Sequence, residues 1–146
     1  MKLLIQRVKN ASVTIDNKIY SSINKGILGL LGVEKYDTKE QADFLINKLK
    51  NLRIFEDENN KMNLSVSDIQ GELLIVSQFT LCSDCKKGTR PSFDNAMPPS
   101  EAKLLYEYFC KKLKTESNLE VKTGQFGAMM DIALINDGPV TFMLEK

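Results

Sequence analysis

Ser77-Gln78-Phe79-Thr80 sets two hydroxyls and an amide within four residues, directly after the apolar run Leu73-Leu74-Ile75-Val76. Strand ends and the loops beyond them are favoured places for sites. In an extended strand Gln78 and Thr80 would share one face, Ser77 and Phe79 the other. The chain contains no histidine, so neither hydroxyl has an imidazole to activate it. That excludes a conventional serine hydrolase, an imidazole base and any His-ligated metal. Cys82 and Cys85 have the spacing of a redox pair or of half a zinc site. Zinc needs four ligands and Cys110 is the one other thiol; a redox pair normally opens a helix, whereas Lys86-Lys87-Gly88 follows here. Thiols with no catalytic role are the plainer reading.

Arg7 is a cation in period-two register with Leu3 and Ile5. It either snorkels to the sheet edge or lies buried, its planar donors fixing backbone carbonyls or a partner chain. Asn136-Asp137-Gly138-Pro139-Val140-Thr141 reads first as a hairpin, with Asp-Gly as a two-residue turn between strands Met130–Ile135 and Val140–Leu144. Pro139 follows that turn at once, where a ladder donor is then missing, and Gly-Pro is a bond that can be cis. A cis bond would turn two carbonyl oxygens the same way and make an acceptor pair from backbone alone. Lys86, Lys87 and Arg90 form the local basic cluster, either a solvated loop or a phosphate contact.

These residues need elements to position them. The 146 residues are one domain's worth of chain, with 42% hydrophobic and 27% charged residues, which argues against disorder. Twenty basic against 19 acidic residues leave no bulk field to select nucleic acid or membrane. No apolar stretch approaches the ~20 residues of a membrane span, no signal peptide precedes Met1-Lys2, and three cysteines read as reduced thiols, so a cytoplasmic protein is expected. Leu3–Val8, the alternating Val13 and Ile15, Ile19-Tyr20 and the glycine-punctuated run Lys25–Val33 read as strands. Asp37 with Glu40 resembles a capping box for a first helix, Thr38 to Asn51, with Ala42, Leu45, Ile46 and Leu49 on its apolar face. Leu73–Val76 is the strongest strand and runs on through Ser77–Leu81; Cys82–Pro99 is a long loop; Ala102, Leu105, Tyr106, Phe109 and Leu113 mark a second helix. Val121 and the residues from Met130 onward finish the chain as strands. The expected fold is a single α+β domain over 1–146, a mostly antiparallel, barrel-like sheet covered on one face by two helices.

Ser77-Gln78-Phe79-Thr80-Leu81 and Asn136-Asp137-Gly138-Pro139-Val140-Thr141 together resemble the two signature motifs of D-aminoacyl-tRNA deacylases. Gln6-Arg7-Val8 with Ala11-Ser12-Val13 is similar to that family's first strand, Gly88 with Arg90-Pro91-Ser92-Phe93 to its loop, and Phe126-Gly127-Ala128 with Met130 to the segment before its last motif. The resemblance spans the chain. It implies hydrolysis of the ester between a D-amino acid, or glycine, and the terminal adenosine of tRNA, by a cytoplasmic homodimer that needs no metal or cofactor. It implies that Gly138 and Pro139 join through a cis bond and reach into the partner's pocket to reject L-amino acids, and that Arg7 supports that motif. Ser77, Gln78, Phe79 and Thr80 would make the catalytic pocket, Phe126 and Met130 the pocket for the terminal adenosine, although Phe126 also reads as a core aromatic. The rival readings are a non-catalytic RNA-binding or DNA-associated module of the same fold, and a thiol enzyme centred on Cys82 and Cys85.

Overall fold

The computed structural model describes residues 1–146. Its elements are β1 (Lys2–Ile15), β2 (Lys18–Ile23), β3 (Gly26–Gly32), α1 (Lys39–Asn51), β4 (Phe55–Glu56), β5 (Met62–Leu64), β6 (Glu72–Ser77), a 3₁₀ turn (Phe79–Cys82), α2 (Pro99–Ser117), β7 (Val121–Thr123) and β8 (Asp131–Glu145). Six strands form one mixed sheet in the order β2-β1-β3-β6-β7, with β8 also paired to β1. The ladders of β1 with β2, β3 and β8 are antiparallel, and those of β3 with β6 and β6 with β7 are parallel. β1 is long enough to be shared: Lys2–Val8 faces β3 and Ala11–Ile15 faces β2. Across the remaining gap Ser21 Oγ on β2 donates to the Thr123 carbonyl on β7 at 2.9 Å, so the sheet nearly closes into a barrel. The α+β, barrel-like expectation is met.

Strand alternation sorts the core into two parts. Leu3, Ile5, Ile27, Leu31, Leu73 and Ile75 face the helices and pack with Leu45, Ile46 and Leu49 of α1 and Tyr106, Phe109 and Leu113 of α2. Their neighbours Leu28, Leu74 and Val76 point the other way and meet Val8, Val13 and Ile23 inside the barrel. Each fully buried Leu, Ile or Phe contributes about 1.5–3 kcal/mol of transfer free energy. On β1 the parity slips. Leu3 and Ile5 face the helices, but Ala11 and Val13, also odd-numbered, face the barrel. A bulge at Lys9 makes the switch, since Val8 pairs with Asn136 and Asn10 with Ile135. Gly26 lets β3 and β6 approach: a Cβ there would run into the Glu72 carbonyl.

Three local expectations change. Thr38, not Asp37, caps α1: its Oγ1 accepts from Glu40 N at 3.2 Å, and its own N–H donates to Gln41 Oε1 at 2.9 Å. Asp37 is held elsewhere, accepting from the Met1 amine at 2.6 Å. The run through Ser77–Leu81 is not one strand. β3 ends at Gly32, so after Gln78 N donates to Leu31 O at 2.8 Å the ladder has no further partner, and the chain winds into the 3₁₀ turn.

The hairpin at Asp137-Gly138 is replaced by a single long strand. Both Met130–Ile135, from Asp131 on, and Val140–Leu144 belong to β8 and pair with β1 in one direction, from Thr14↔Asp131 to Lys2↔Glu145. Folding back on itself would leave this side of β1 without backbone partners; continuing along β1 satisfies it. The turn-forming residues become a bulge instead. Gln6 pairs with Thr141 and Val8 with Asn136, so Arg7 alone opposes Asp137, Gly138, Pro139 and Val140.

Candidate functional site

The 3₁₀ turn brings its polar groups together by curvature and not by strand alternation. Gln78 Nε2 donates to Thr80 Oγ1 at 2.5 Å, which leaves the Thr80 hydroxyl proton free to donate onward. Phe79 is 58% exposed, and its ring meets that of Phe93 edge-on with centroids 5.1 Å apart. The first N–H groups of such a turn, those of Phe79 and Thr80, have no acceptor within it.

Beside the turn lies a cavity of about 630 Å³. Ser77, Gln78 and Phe79 line one side, Phe93 and Met97 another, and Phe126 with Met130 a third. Its wall is mostly apolar, the lining that accepts a flat ring, with the Ser77–Gln78 polar groups at one edge. Tyr106 of α2 supports it from beneath. The buried Tyr106 hydroxyl donates to Ile75 O at 2.8 Å, and its ring tilts against Phe126 at 5.6 Å. Ile75 O also accepts from Gly124 N at 3.0 Å, so one oxygen ties β6, α2 and the segment leading to Phe126. Gly124 packs closely here: a Cβ there would lie 2.8 Å from Met130 Sδ and displace that side chain.

Two residues here were not singled out from the sequence. Tyr106 looked like one more apolar-face residue of α2. Asn136 looked like turn chemistry, yet its Nδ2 donates to Arg7 O at 3.1 Å and to Val140 O at 3.2 Å, closing both ends of the bulge.

The bulge is a separate locus. Arg7 is 5% exposed and bonded on several sides: Nε donates to Asp137 O at 3.0 Å and lies 3.0 Å from Asp137 Oδ2, and an Nη donates to Ile54 O at 2.7 Å. Its guanidinium also lies 6.0 Å from the Phe55 ring centroid. The buried, carbonyl-binding alternative therefore describes Arg7, and snorkelling does not. The Gly138-Pro139 bond is cis, and both residues are exposed. A Cβ on Gly138 would overlap Asn136 Oδ1.

Within the chain the two loci do not meet. Ser77 shares a ladder row with Leu31 and Leu3, whereas the bulge lies opposite Arg7, and β8 is three strands from β6. At ordinary strand spacings that is roughly 13 Å along the sheet and roughly 14 Å across it, on the order of 20 Å.

The thiols are dispersed. Cys82 is buried with Sγ 3.5 Å from the Val33 carbonyl, and burial pushes its thiol up to about 11. Cys85 is exposed, and Cys110 is pushed up to about 12 by burial. A protonated thiol is a poor nucleophile, which weighs against the thiol-enzyme reading. No three Cys, Asp or Glu side chains come together to hold a metal. No helix is long and apolar enough to cross a membrane.

A family model for D-Tyr-tRNA(Tyr) deacylase matches residues 4–145. A D-aminoacyl-tRNA deacylase of Thermosipho melanesiensis is 53% identical over 146 residues, covering 100% of this chain and 97% of that protein. One from Pseudoalteromonas translucida is 58% identical over 144 residues, covering 99% of each. Among solved structures, a c-Myc DNA Unwinding Element Binding Protein superposes with a TM-score of 0.94 at 44% identity, covering 100% of this chain and 99% of that one. A probable eukaryotic D-amino acid tRNA deacylase superposes with a TM-score of 0.88 at 17% identity over 99% and 98%, a likeness of fold alone.

Proposed function

The chain belongs to the D-Tyr-tRNA(Tyr) deacylase family of hydrolases, which act on the ester bond of aminoacyl-tRNA, and on that premise we propose how its residues divide the work. The terminal adenine enters the apolar cavity against Phe126 and Met130, and the ester carbonyl lies over the 3₁₀ turn. Water adds to that carbonyl, the ester C–O bond breaks, and a proton goes to the departing ribose 3′ oxygen. The N–H groups of Phe79 and Thr80 stabilise the oxyanion; one such donor is worth ~10²–10³ in rate. Thr80 and Gln78, with Ser77 beside them, orient the substrate. The ribose 2′-hydroxyl positions the water, because no side chain in the turn is a base near neutral pH. The observation that carries this reading is the mostly apolar cavity edged by the polar 3₁₀ turn.

Chirality is assigned to Gly138 and Pro139 of a second copy. Their carbonyls accept from the substrate ammonium, and their bulk occupies the direction an L side chain would take, a rejection that needs no attraction to any D side chain. Glycine, with no side chain, passes. Arg7 supports the motif by holding Asp137. Two features support the homodimer this requires: the distance between turn and bulge within a protomer, and the edge of β8, where Ile135, Phe142 and Met143 are exposed. Free thiols accord with a cytoplasmic protein.

The test is hydrolysis of D-tyrosyl-, glycyl- and L-tyrosyl-tRNA by one preparation. Release of D-tyrosine and glycine with L-tyrosyl-tRNA intact is expected; equal hydrolysis of both enantiomers would overturn the chiral assignment. The likeness to a DNA-unwinding-element binding protein favours a second reading, a nucleic-acid-binding module. Retention of D-tyrosyl-tRNA on a filter with its ester intact would support it.

A further inference from the structure

We propose that the arm Asp84–Ser92 grips the phosphodiester backbone of the nucleotides leading to the reacting 3′ end, through Lys86, Lys87 and Arg90. The inference rests on the reading that the cavity takes the terminal aminoacyl-adenosine of tRNA, and adds the surface that holds the strand entering it.

The arm is a short hairpin closed at its base. Asp84 N donates to Ser92 O at 2.8 Å and Ser92 N to Asp84 O at 3.0 Å, and every residue from Cys85 to Pro91 is exposed. Gly88, at φ +68 with open space around it, lets the tip reverse. Both roots belong to the site. One strand leaves Cys82, the last residue of the 3₁₀ turn. The other returns through Phe93, which lines the cavity and packs on Phe79. The arm therefore stands at the cavity rim, with a reach of roughly 12 Å for half its seven tip residues.

Its charges are free. Lys112 sits against Asp43 at 2.7 Å and Lys122 against Glu120 at 2.7 Å, but many cations elsewhere are unpaired too, and the arm is set apart by the clustering of its cations at the cavity rim. Lys86, Lys87 and Arg90 make no ion pair, and the nearby Asp84 carboxylate is engaged by the Lys86 backbone N–H at 2.8 Å. A chain of net charge +1 offers RNA no general attraction, so a phosphate contact must be local. Three unpaired cations within five residues at the mouth of a nucleoside-sized cavity supply it.

The test compares K86A/K87A/R90A with wild type on two substrates, D-tyrosyl-tRNA and 3′-O-D-tyrosyl-adenosine, which has no phosphate. On tRNA the triple variant is expected to lose about 10–100-fold in kcat/KM at low KCl. The slope of log kcat/KM against log [KCl] should become shallower by about 2, at ~0.7 per single-strand phosphate contact. On the nucleoside ester it should match wild type within about twofold, which also shows that it is folded. An unchanged salt slope, or an equal loss on both substrates, would overturn the clamp. Wild type inactive on both would overturn the deacylase reading and the clamp with it.

Discussion

Tyr106 donates its buried hydroxyl to the Ile75 carbonyl at 2.8 Å, two residues before Ser77. This joins the helical layer to the strand that ends in the 3₁₀ turn. Ile75 O keeps its bond from Gly124 N if the hydroxyl is removed, so Y106F loses one hydrogen bond without leaving that carbonyl bare. The expected cost is about 1 kcal/mol, or roughly 3 °C in Tm. Because the hydroxyl anchors the ring that backs Phe126, KM for D-aminoacyl-tRNA is expected to rise severalfold with kcat nearly held; calorimetry and steady-state kinetics read both. A kcat collapse with unchanged KM would contradict a positioning role.

Arg7 is buried between two carbonyls and the Asp137 carboxylate. R7M leaves those acceptors unmet and is expected to cost about 3–5 kcal/mol, as removal of one partner of a buried pair does. R7K keeps the charge but not the fork of donors, and should fall between R7M and wild type. Urea titrations of the three proteins check the order.

Thr80 Oγ1 accepts from Gln78, and no base is bonded to it. T80A is therefore expected to lose activity without abolishing it, and quenched turnover mixtures should show no acyl-enzyme by intact-mass spectrometry. A trapped adduct on wild type that vanishes in T80A would make Thr80 the nucleophile.

Gly138 has no room for a side chain, since its Cβ would meet Asn136 Oδ1 and disturb the bonds closing the bulge. G138V is expected to reduce D-tyrosyl-tRNA hydrolysis by at least tenfold and to lower Tm by roughly 3–6 °C, as the loss of one or two such hydrogen bonds does. If the bulge serves its partner's pocket, mixing G138V with T80A after denaturation and refolding together restores one intact cleft per mixed dimer. That is about a quarter of wild-type activity for random pairing. Recovery no greater than the two variants' own sum would place turn and bulge in the same subunit.

Burial raises the thiols of Cys82 to about 11 and Cys110 to about 12, from 9.0. A thiol held protonated by the fold contributes its full stability below pH 9, and that contribution is lost as pH climbs through 11 and 12. C82A should show a smaller fall in urea midpoint between pH 9 and 11 than wild type. At pH 7.5 iodoacetamide should label Cys85 first, with hydrolysis of the nucleoside ester retained. Inactivation of that reaction in step with Cys82 labelling would revive the thiol mechanism.

What could be read from residues alone was local period and parity. The faces of α1 and α2, the strand Leu73–Val76 and the inward register of Arg7 with Leu3 and Ile5 all follow from spacing. What escaped depends on distant partners. Asp-Gly is a hairpin turn in isolation, but the whole side of β1 was available, and β8 ran straight along it. Asp37 is a good cap until the amine of Met1, 36 residues away, claims its carboxylate. The strand beyond Ser77 ends because its neighbour β3 does, and Tyr106 and Asn136 acquire their partners only after the sheet has formed.

β8 is fifteen residues long, and outside its bulge it pairs on one side only, with β1. Such a rim accepts whichever extended segment arrives first, and abundance decides who that is. If that segment is β8 of a second copy, a dilute stock would lose specific activity faster than mass action on substrate explains, and recover it on concentration. Heated past partial opening, it would gather into fibrous or amorphous precipitate along that same border.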